Sequence, residues 1–211
     1  MNKEQFIKSL QELNIEITEE QINKLEKFYQ LMVEWNQKIN LTRIVEKEDV
    51  YLKHFYDSLT IAKAIDLTKE KTLCDVGTGA GFPGIVLKII YPNLKITLID
   101  SLQKRVNYLN IIIKELELKD IEAIHFRGED YKGKFDVVTS RAVANIEKLV
   151  NYTMHLLSKN GIFIAMKGNV EEELNDQVIE KLSKRYKIEN IIKFKLPLEN
   201  SDRSLVIMKN R

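Results

Sequence analysis

The residues best suited to chemistry lie in a glycine-rich segment, DVGTGAGFPG, which runs from Asp75 to Gly84. A compact apolar run precedes this segment and a helical pattern follows it, with Pro83 suited to the first helical turn. The glycines at positions 77, 79 and 81 allow a tight turn and leave no Cβ between the backbone and a ligand. A turn of this kind at the carboxyl end of a parallel strand predicts a ligand site.

Acidic residues follow three successive predicted strands, and they indicate which ligand the turn holds. Asp75 closes the first strand, and Asp100 closes the second, where a carboxylate can accept both hydroxyls of a ribose. Glu129 or Asp130 follows the third strand and is expected near the edge of an adenine. Carboxylates are seldom placed at strand ends for packing alone. The site is therefore expected to take an adenosine-containing cofactor.

Two adenosine cofactors compete for this site. The run Gly79-x-Gly81-x-x-Gly84 matches the dinucleotide fingerprint, with Asp100 about 20 residues further on. Asp75, however, stands two residues before the first glycine, where it would repel a pyrophosphate but not the ammonium group of a methionine tail. The pattern favours S-adenosylmethionine, and a nicotinamide nucleotide bound by an NAD(P)-dependent oxidoreductase stays open as the alternative.

The hydrophobic pattern divides the chain into a helical N-terminal extension, residues 1–66, and a cofactor-binding domain, residues 67–211. The extension shows helical spacing only, with a capping box formed by Thr18 and Gln21 before an apolar stripe. The second part alternates short apolar strands with helical stripes, which predicts a parallel sheet with helices on both faces. The seven expected strands cover residues 72–77, 95–100, 121–126, 135–140, 161–167, 188–196 and 204–210.

The connection between the last two strands predicts the direction of the final one. Only PLENSDR, residues 197–203, joins them, and this is too short for a parallel crossover. We therefore expect an α/β, Rossmann-like fold with a mostly parallel seven-stranded sheet whose last strand is antiparallel. Two of the expected helices carry apolar stripes formed by Ile146, Leu149, Val150 and Leu157 and by Leu174, Val178 and Leu182.

Composition excludes several classes of protein. Lysine and arginine total 33 against 31 aspartate and glutamate residues, a net charge of +2 that argues against a protein that coats DNA. The single cysteine, Cys74, excludes a disulfide framework or a multi-cysteine metal site and is expected to be a small buried apolar residue. The three histidines have no metal-ligand spacing, so no metal is expected. No segment resembles a signal peptide or a membrane span, so we expect a cytoplasmic protein.

Four segments together carry a family resemblance. DVGTGAGFPGIVL, IDSLQKRVNYL, FDVVTSRAVA and the N-terminal NLTRI…HFYDSL resemble the RsmG (GidB) family of ribosomal RNA small-subunit methyltransferases. The resemblance runs from about Phe28 to the end of the chain. It implies the class I S-adenosylmethionine-dependent methyltransferase fold and methylation of N7 of one guanine in 16S ribosomal RNA. This chain departs from the family's pattern at one of the implied site positions: family members commonly have Ala-Glu where it has Gly128-Glu129.

The candidate site residues come from the strand-end pattern together with this resemblance. The resemblance implies contacts to S-adenosylmethionine from Gly77, Phe82, Gly128, Glu129 and Arg141. With the strand-end residues, the expected cofactor contacts are Asp75, Gly77, Thr78, Gly79, Gly81, Phe82, Asp100, Ser101, Gly128, Glu129 and Arg141. The candidate RNA contacts are Asn40, Arg43, His54, Lys104, Arg105, Lys167 and Arg203, for several of which a structural role is a competing interpretation.

The implied target atom, guanine N7, determines which catalytic groups the reaction needs. Guanine N7 carries a lone pair and no proton, so attack on a methyl group needs no general base and depends on proximity and alignment. Arg141 follows the fourth strand and is the expected catalytic residue, in a positioning role or as a cofactor contact. A structural salt bridge is the alternative for this arginine.

The expected partner is 16S ribosomal RNA or the small ribosomal subunit, bound by a monomer, with no DNA and no membrane. A third function remains beside the methyltransferase and the oxidoreductase. It is a non-catalytic RNA-binding factor for ribosome assembly.

Overall fold

The computed structural model of this 211-residue chain describes residues 1–69, 71–141 and 144–211. Ala142 and Val143, in the middle of the SRAVA motif, lie outside the described residues.

Three helical elements form the N-terminal part: α1 (Lys3–Leu10), α2 (Glu19–Ile39) and the helical segment α3, residues 47–63. The predicted capping box of α2 is confirmed, because Thr18 Oγ1 accepts from Gln21 N and Gln21 Oε1 accepts from Thr18 N. Asn2 and Gln5 form a second capping box at α1. These reciprocal bonds satisfy backbone donors that a helix start leaves free.

The middle of α3 is wider than an ordinary α-helix. Residues Val50–Tyr56 form a π-helix, flanked by short α and 3₁₀ turns. Leu52, Phe55 and Leu59 are buried, as the apolar stripe predicts. π-helical turns are rare and occur often at functional sites. This one carries Lys53 and His54, and Asp57 follows it directly.

Seven strands form one sheet in the order β3-β2-β1-β4-β5-β7-β6. β7 pairs antiparallel with both of its neighbours, β5 and β6, whereas the other described strand pairs are parallel, which confirms the predicted direction of the last strand. The strands are β1 (Thr72–Val76), β2 (Lys95–Asp100), β3 (Ile121–His125), β4 (Phe135–Arg141), β5 (Leu157–Lys167), β6 (Tyr186–Lys195) and β7 (Asp202–Asn210). The helices between them are α4 (Gly84–Ile90), α5 (Gln103–Glu115), α6 (Ile146–Thr153) and α7 (Asp176–Ser183).

Two helix predictions were wrong at their ends. Leu157 was expected on a helix, but α6 ends at Thr153 and Leu157 begins β5, where it pairs with Phe135 ahead of a register shift. Leu174 was expected on the next helix, but α7 begins at Asp176, with Asn175 as its N-cap. Apolar residues at helical spacing on both sides of an element boundary cannot reveal where the helix stops.

The sheet is buried on both faces, and alternate strand residues face different clusters. Leu73 packs with the N-terminal helices, α4 and α5, whereas Cys74 packs with α6 and α7. Cys74 is fully buried, as its sequence context predicts. Residues of the N-terminal extension and of the sheet thus share one hydrophobic core, which brings α3 to the carboxyl edge of the strands. No helix in the described part of the chain is both long and apolar enough to cross a membrane.

Candidate functional site

The glycine-rich loop leaves β1 and turns sharply at the edge of the sheet. Gly77 N and Thr78 N both donate to Ile99 O of β2, at 2.8 and 3.1 Å. Gly81 has φ +99°, and a Cβ there would lie 2.6 Å from Ile85 Cγ1. Only glycine fits both that backbone conformation and that close approach. The loop therefore brings backbone N–H groups to the carboxyl edge of the sheet, as its sequence predicts.

Asp75 lies behind this loop. Its Oδ2 accepts from Thr78 Oγ1 at 2.7 Å and from Gly84 N at 2.9 Å, while Oδ1 has no partner among the described residues. Burial raises the pKa of the carboxyl to about 6. The structure therefore places this expected cofactor contact where it fixes the loop, and its side chain is fully buried.

Asp100 ends β2 and supports the loop from the other side. Its Oδ2 accepts from Gly79 N at 3.0 Å and from Arg105 Nη1 at 3.4 Å, and its Oδ1 accepts from Leu102 N at 2.9 Å. The contact with Arg105 is the longest of the three and therefore the weakest. A ribose hydroxyl that replaced it would leave the two backbone contacts in place.

An open cleft of about 370 Å³ lies in front of the loop. We call it the glycine-loop cleft, and its walls are Leu41, Thr42, His54, Gly77, Thr78, Gly79, Ala80, Phe82, Asp100, Ser101, Arg105 and Arg141. Seven of the expected cofactor contacts lie in this wall, from Gly77 to Arg141. A nucleoside fits this donor set, because a carboxylate faces the cleft beside backbone that carries no Cβ at Gly79.

Three other expected cofactor contacts lie away from the walls of this cleft. Gly81 packs beneath the loop against Ile85. Gly128 is buried, and a Cβ there would lie 2.7 Å from Val76 Cγ1 and 3.2 Å from Tyr152 O, so an alanine at this position would be crowded. Glu129 follows on an exposed 3₁₀ turn.

A second cavity, of about 330 Å³, adjoins the first, and we call it the adjoining cavity. It lies beyond the ends of β4 and β5 and the start of β7. His54 and Arg141 line both cavities and so form the boundary between them. The remaining wall residues are Ile44, Lys53, Asp57, Thr60, Met166, Lys167, Gly168, Glu173, Phe194, Arg203, Ser204 and Leu205.

Arg141 is held at the boundary by residues of α3. Nη1 donates to Lys53 O at 3.0 Å and to Asp57 Oδ2 at 3.1 Å, and Nη2 donates to His54 Nδ1 at 3.1 Å. Asp57 Oδ1 accepts from Arg203 Nε at 3.0 Å. One buried carboxylate therefore joins two arginines from different strands, so Arg141 makes the structural salt bridge named as its alternative role, and its catalytic role stays a prediction.

His54 is buried at this boundary. Its Nε2 lies 3.0 Å from Thr42 Oγ1, and its ring stacks on Phe82 with the centroids 4.3 Å apart. Burial and, to a lesser degree, the charge of Arg141 lower the pKa of the imidazole to about 3. The ring is therefore neutral at physiological pH, and both of its nitrogens already have partners.

The other candidate RNA contacts fall into two groups. Asn40, Arg43 and Lys104 are exposed and free to meet a polyanion. Arg105 pairs with Asp100, and Arg203 pairs with Asp57. Lys167 Nζ donates to Ala144 O at 2.7 Å and pairs with Glu173 at 2.9 Å. With His54, these paired residues support the site from within.

Sequence reasoning missed two residues that contact this boundary: Asp57, which binds Arg141, and Thr42, which binds His54. Both lie in segments quoted for the resemblance, HFYDSL and NLTRI. An acid three positions after His54 was the available signal, because that spacing places two side chains on one side of a helix. No cluster of potential ligand side chains in the described part of the chain is arranged to hold a metal ion.

A family model and the curated relatives agree with one another. The model described as GidB, rRNA small subunit methyltransferase G, matches residues 21–206. The protein named ribosomal RNA small subunit methyltransferase G from Oceanobacillus iheyensis is 43% identical, covering 100% of this chain and 92% of the relative. Its namesake from Bacillus subtilis strain 168 is 43% identical over 99% of this chain and 90% of the relative.

Solved structures resemble this fold at low identity. A SAM-dependent methyltransferase from Aquifex aeolicus superposes with a TM-score of 0.59 at 18% identity, covering 77% of this chain and 93% of that one. A ribosomal protein L11 methylase from Lactobacillus delbrueckii subsp. bulgaricus gives 0.57 at 20% identity, covering 78% and 79%. The fold is therefore the one expected, that of the S-adenosylmethionine-dependent methyltransferases.

Proposed function

The chain belongs to the GidB family, rRNA small subunit methyltransferase G, and from that premise we propose that it transfers a methyl group from S-adenosylmethionine to N7 of a guanine in 16S ribosomal RNA. The glycine-loop cleft supports the choice of cofactor. The turn at Gly77–Gly79 lets a ligand approach the backbone closely, because neither glycine has a Cβ, and Asp100 offers an acceptor for ribose hydroxyls. S-adenosylmethionine, when bound there, supplies an electrophilic methyl group on a sulfonium.

The adjoining cavity supports the choice of substrate position. It shares His54 and Arg141 with the glycine-loop cleft, so a base seated in it would lie beside a cofactor bound in that cleft. Holding two reactants in line removes much of the entropic barrier to their reaction. Arg141 and Phe82, which packs under its guanidinium at 5.2 Å, would fix this alignment.

One observation supports the assignment of the target atom: among the residues that the structure describes, the boundary holds no side chain that is free to act as a base. His54, the titratable base there, has both ring nitrogens engaged, with Nδ1 accepting from Arg141. The guanidinium of Arg141 is a donor only. Attack by an atom that carries no proton, such as guanine N7, needs no more than this boundary supplies.

The charges at the boundary suit the same reaction. Methyl transfer to N7 moves a positive charge from the sulfonium to the purine, so an uncompensated arginine beside the purine would oppose it. Asp57 offsets the charge of Arg141 through a contact of 3.1 Å. Asp57 therefore lets Arg141 position a base without full repulsion of the cationic product.

We further infer that the protein acts in the cytoplasm as a monomer and meets RNA through its exposed polar surface near the cleft. Asn40, Arg43 and Lys104 are the exposed candidates. Arginine and lysine in this position would contact phosphates, which orients an RNA without reading its sequence. Residues 1–66 would then serve as a part of the site as well as of the core.

The test is a methyl-transfer assay with labelled S-adenosylmethionine on small ribosomal subunits that lack the modification, followed by mapping of the labelled base. We expect a single 7-methylguanosine in 16S RNA. Asp100→Ala should reduce transfer strongly, whereas Lys184→Ala, at the exposed position that follows α7, should leave it unchanged.

Other outcomes of the same assay would contradict the proposal. Label at another atom would contradict the assignment of N7. Binding of the donor without transfer to any ribosomal RNA would favour a non-catalytic assembly factor. Binding of NADH in place of S-adenosylmethionine would favour the oxidoreductase.

A further inference from the structure

Thr42 lies in the wall of the glycine-loop cleft, on the short segment between α2 and α3. The segment is fixed by Asn36, whose Oδ1 accepts from Leu41 N at 2.6 Å and from Thr42 N at 2.8 Å. The side chain of Thr42 is therefore held in a defined position at the cleft before any ligand arrives.

The hydroxyl oxygen of Thr42 already accepts two hydrogen bonds. Ile44 N donates to Oγ1 at 3.1 Å. The second donor is His54 Nε2, and its role follows from the tautomer. Arg141 Nη2 lies 3.1 Å from His54 Nδ1, and because a guanidinium can only donate, Nδ1 must accept. The neutral ring then carries its proton on Nε2, and this proton points to Thr42 Oγ1 at 3.0 Å.

The proton of the Thr42 hydroxyl is left without a partner. A threonine hydroxyl has two acceptor positions and one donor, and both acceptor positions are filled. No acceptor for the O–H group lies within hydrogen-bond distance among residues 1–69, 71–141 and 144–211. Toward a ligand in the cleft, the hydroxyl can therefore act only as a donor.

Arg141 adds donors to the same wall. Its Nη1 group serves Lys53 O and Asp57 Oδ2, and one Nη2 proton serves His54, which leaves Nε and the second Nη2 proton unused within the described residues. A ligand group that meets a cationic donor and a fixed hydroxyl donor is best an anion. A carboxylate, with two acceptor oxygens, can satisfy both.

We propose that Thr42 is a cofactor-binding residue that donates its hydroxyl proton to the carboxylate of the methionine part of S-adenosylmethionine. This inference rests on the proposed function. Asp100 and Ser101 lie in the wall of the same cleft, and they are left for the nucleoside. Thr42 thereby selects the intact donor over a decarboxylated one.

The test compares two ligands on four proteins by calorimetry. S-adenosylmethionine and decarboxylated S-adenosylmethionine are titrated into the wild type, Thr42→Ser, Thr42→Val and a control, Thr68→Val, which lies far from the cleft. We expect the wild type, Thr42→Ser and the control to prefer the carboxylate-bearing ligand. Thr42→Val should lose roughly tenfold or more of this preference, the size of one hydrogen bond to a charged group.

The comparison separates a ligand contact from a structural role. Thr42→Val also removes the hydroxyl oxygen that accepts from His54 and Ile44. The resulting structural change should weaken the binding of both ligands equally, so it does not alter the ratio of their two affinities. Thr42→Ala gives a second reading if the valine variant does not fold. An unchanged preference in the variant that lacks the hydroxyl would overturn the inference and leave the proposed function standing. Failure of the wild type to bind S-adenosylmethionine would overturn both.

Discussion

The imidazole of His54 stacks on the ring of Phe82, with centroids 4.3 Å apart and planes 18° from parallel. The guanidinium of Arg141 lies over the same ring, 5.2 Å from its centroid. Side chains from α3, from the glycine-rich loop and from β4 thus form one packed group. The N-terminal extension is therefore part of the site. Substitutions at His54 should affect both the stability of the fold and ligand binding in the glycine-loop cleft.

The lowered pKa of His54 predicts how the stability of the protein depends on pH. The folded imidazole has a pKa of about 3, below its ordinary value of 6.5. Below pH 6.5 the unfolded chain binds a proton at His54, whereas the folded chain does not. The neutral buried imidazole therefore contributes fully to stability above pH 6.5, and this contribution is lost as pH falls towards 3. We expect a loss of about 2 kcal/mol between pH 6.5 and 5.

His54→Gln removes the titrating group and isolates that contribution. Urea unfolding at pH 6.5 and at pH 5 should show a smaller loss of stability for the variant than for the wild type. Equal losses in the two proteins would show that His54 is protonated in the folded state.

Asp75 should have the opposite dependence on pH. Burial raises its folded pKa to about 6, above its ordinary value of 3.8, so the folded state keeps a proton that the unfolded state releases. The charged form costs stability above pH 6, and this cost of about 3 kcal/mol at most vanishes as pH falls below 3.8. Between pH 5 and pH 8, the free energy of unfolding of the wild type should therefore fall, and that of Asp75→Asn should fall less. A steeper decline with rising pH in the variant would argue against the assignment.

The carboxylate of Asp57 should contribute more to stability than an exposed acid of the same helical segment. Asp57 is buried between Arg141 and Arg203, so Asp57→Ala leaves two guanidinium groups without their partner and should cost about 3–5 kcal/mol. Asp49→Ala breaks a half-exposed pair with Lys53 and should cost less than about 1 kcal/mol. Chemical denaturation measures both. Equal losses of stability in the two variants would mean that water solvates the cluster of Asp57, Arg141 and Arg203.

Gly84 and Gly168 provide a matched pair of glycine-to-alanine substitutions. A Cβ at Gly84 would clash with Leu98 and lie 3.0 Å from Asp75 Oδ2, which binds Gly84 N. Gly84→Ala should therefore destabilise the protein by about 1–3 kcal/mol. A Cβ at Gly168 has no atom closer than 3.9 Å, and Gly168→Ala should stay within about 0.5 kcal/mol of the wild type. Thermal unfolding that ranks the two variants in the reverse order would contradict the packing described for the loop.

Patterns with a strict period made most of the fold predictable. Alternating strands and helices gave the sheet, and the short connection between β6 and β7 gave the direction of the last strand. The end of α6 was not predictable, because Leu157 continues a helical stripe although it belongs to β5. A leucine suits either element, and pairing with Phe135 decides between them.

The candidate site was predictable only where its residues are close in sequence. The glycine-rich loop and Asp100 follow from local patterns at strand ends. The contact of Arg141 with Asp57 joins positions 84 residues apart, and nothing local in either segment encodes it. The proposed role of the Thr42 hydroxyl could not be predicted from the sequence either. It depends on the proton of His54, which lies on Nε2 because Arg141 donates to Nδ1.

The bond between Arg203 and Asp57 spans 146 positions of the chain. Asp57 and Arg141 are synthesised long before β7, which carries Arg203 near its start. A nascent chain therefore lacks the second arginine partner of Asp57 until its last strand has been translated. A partly made polypeptide can form the pair of Asp57 and Arg141 but not the complete cluster of three side chains.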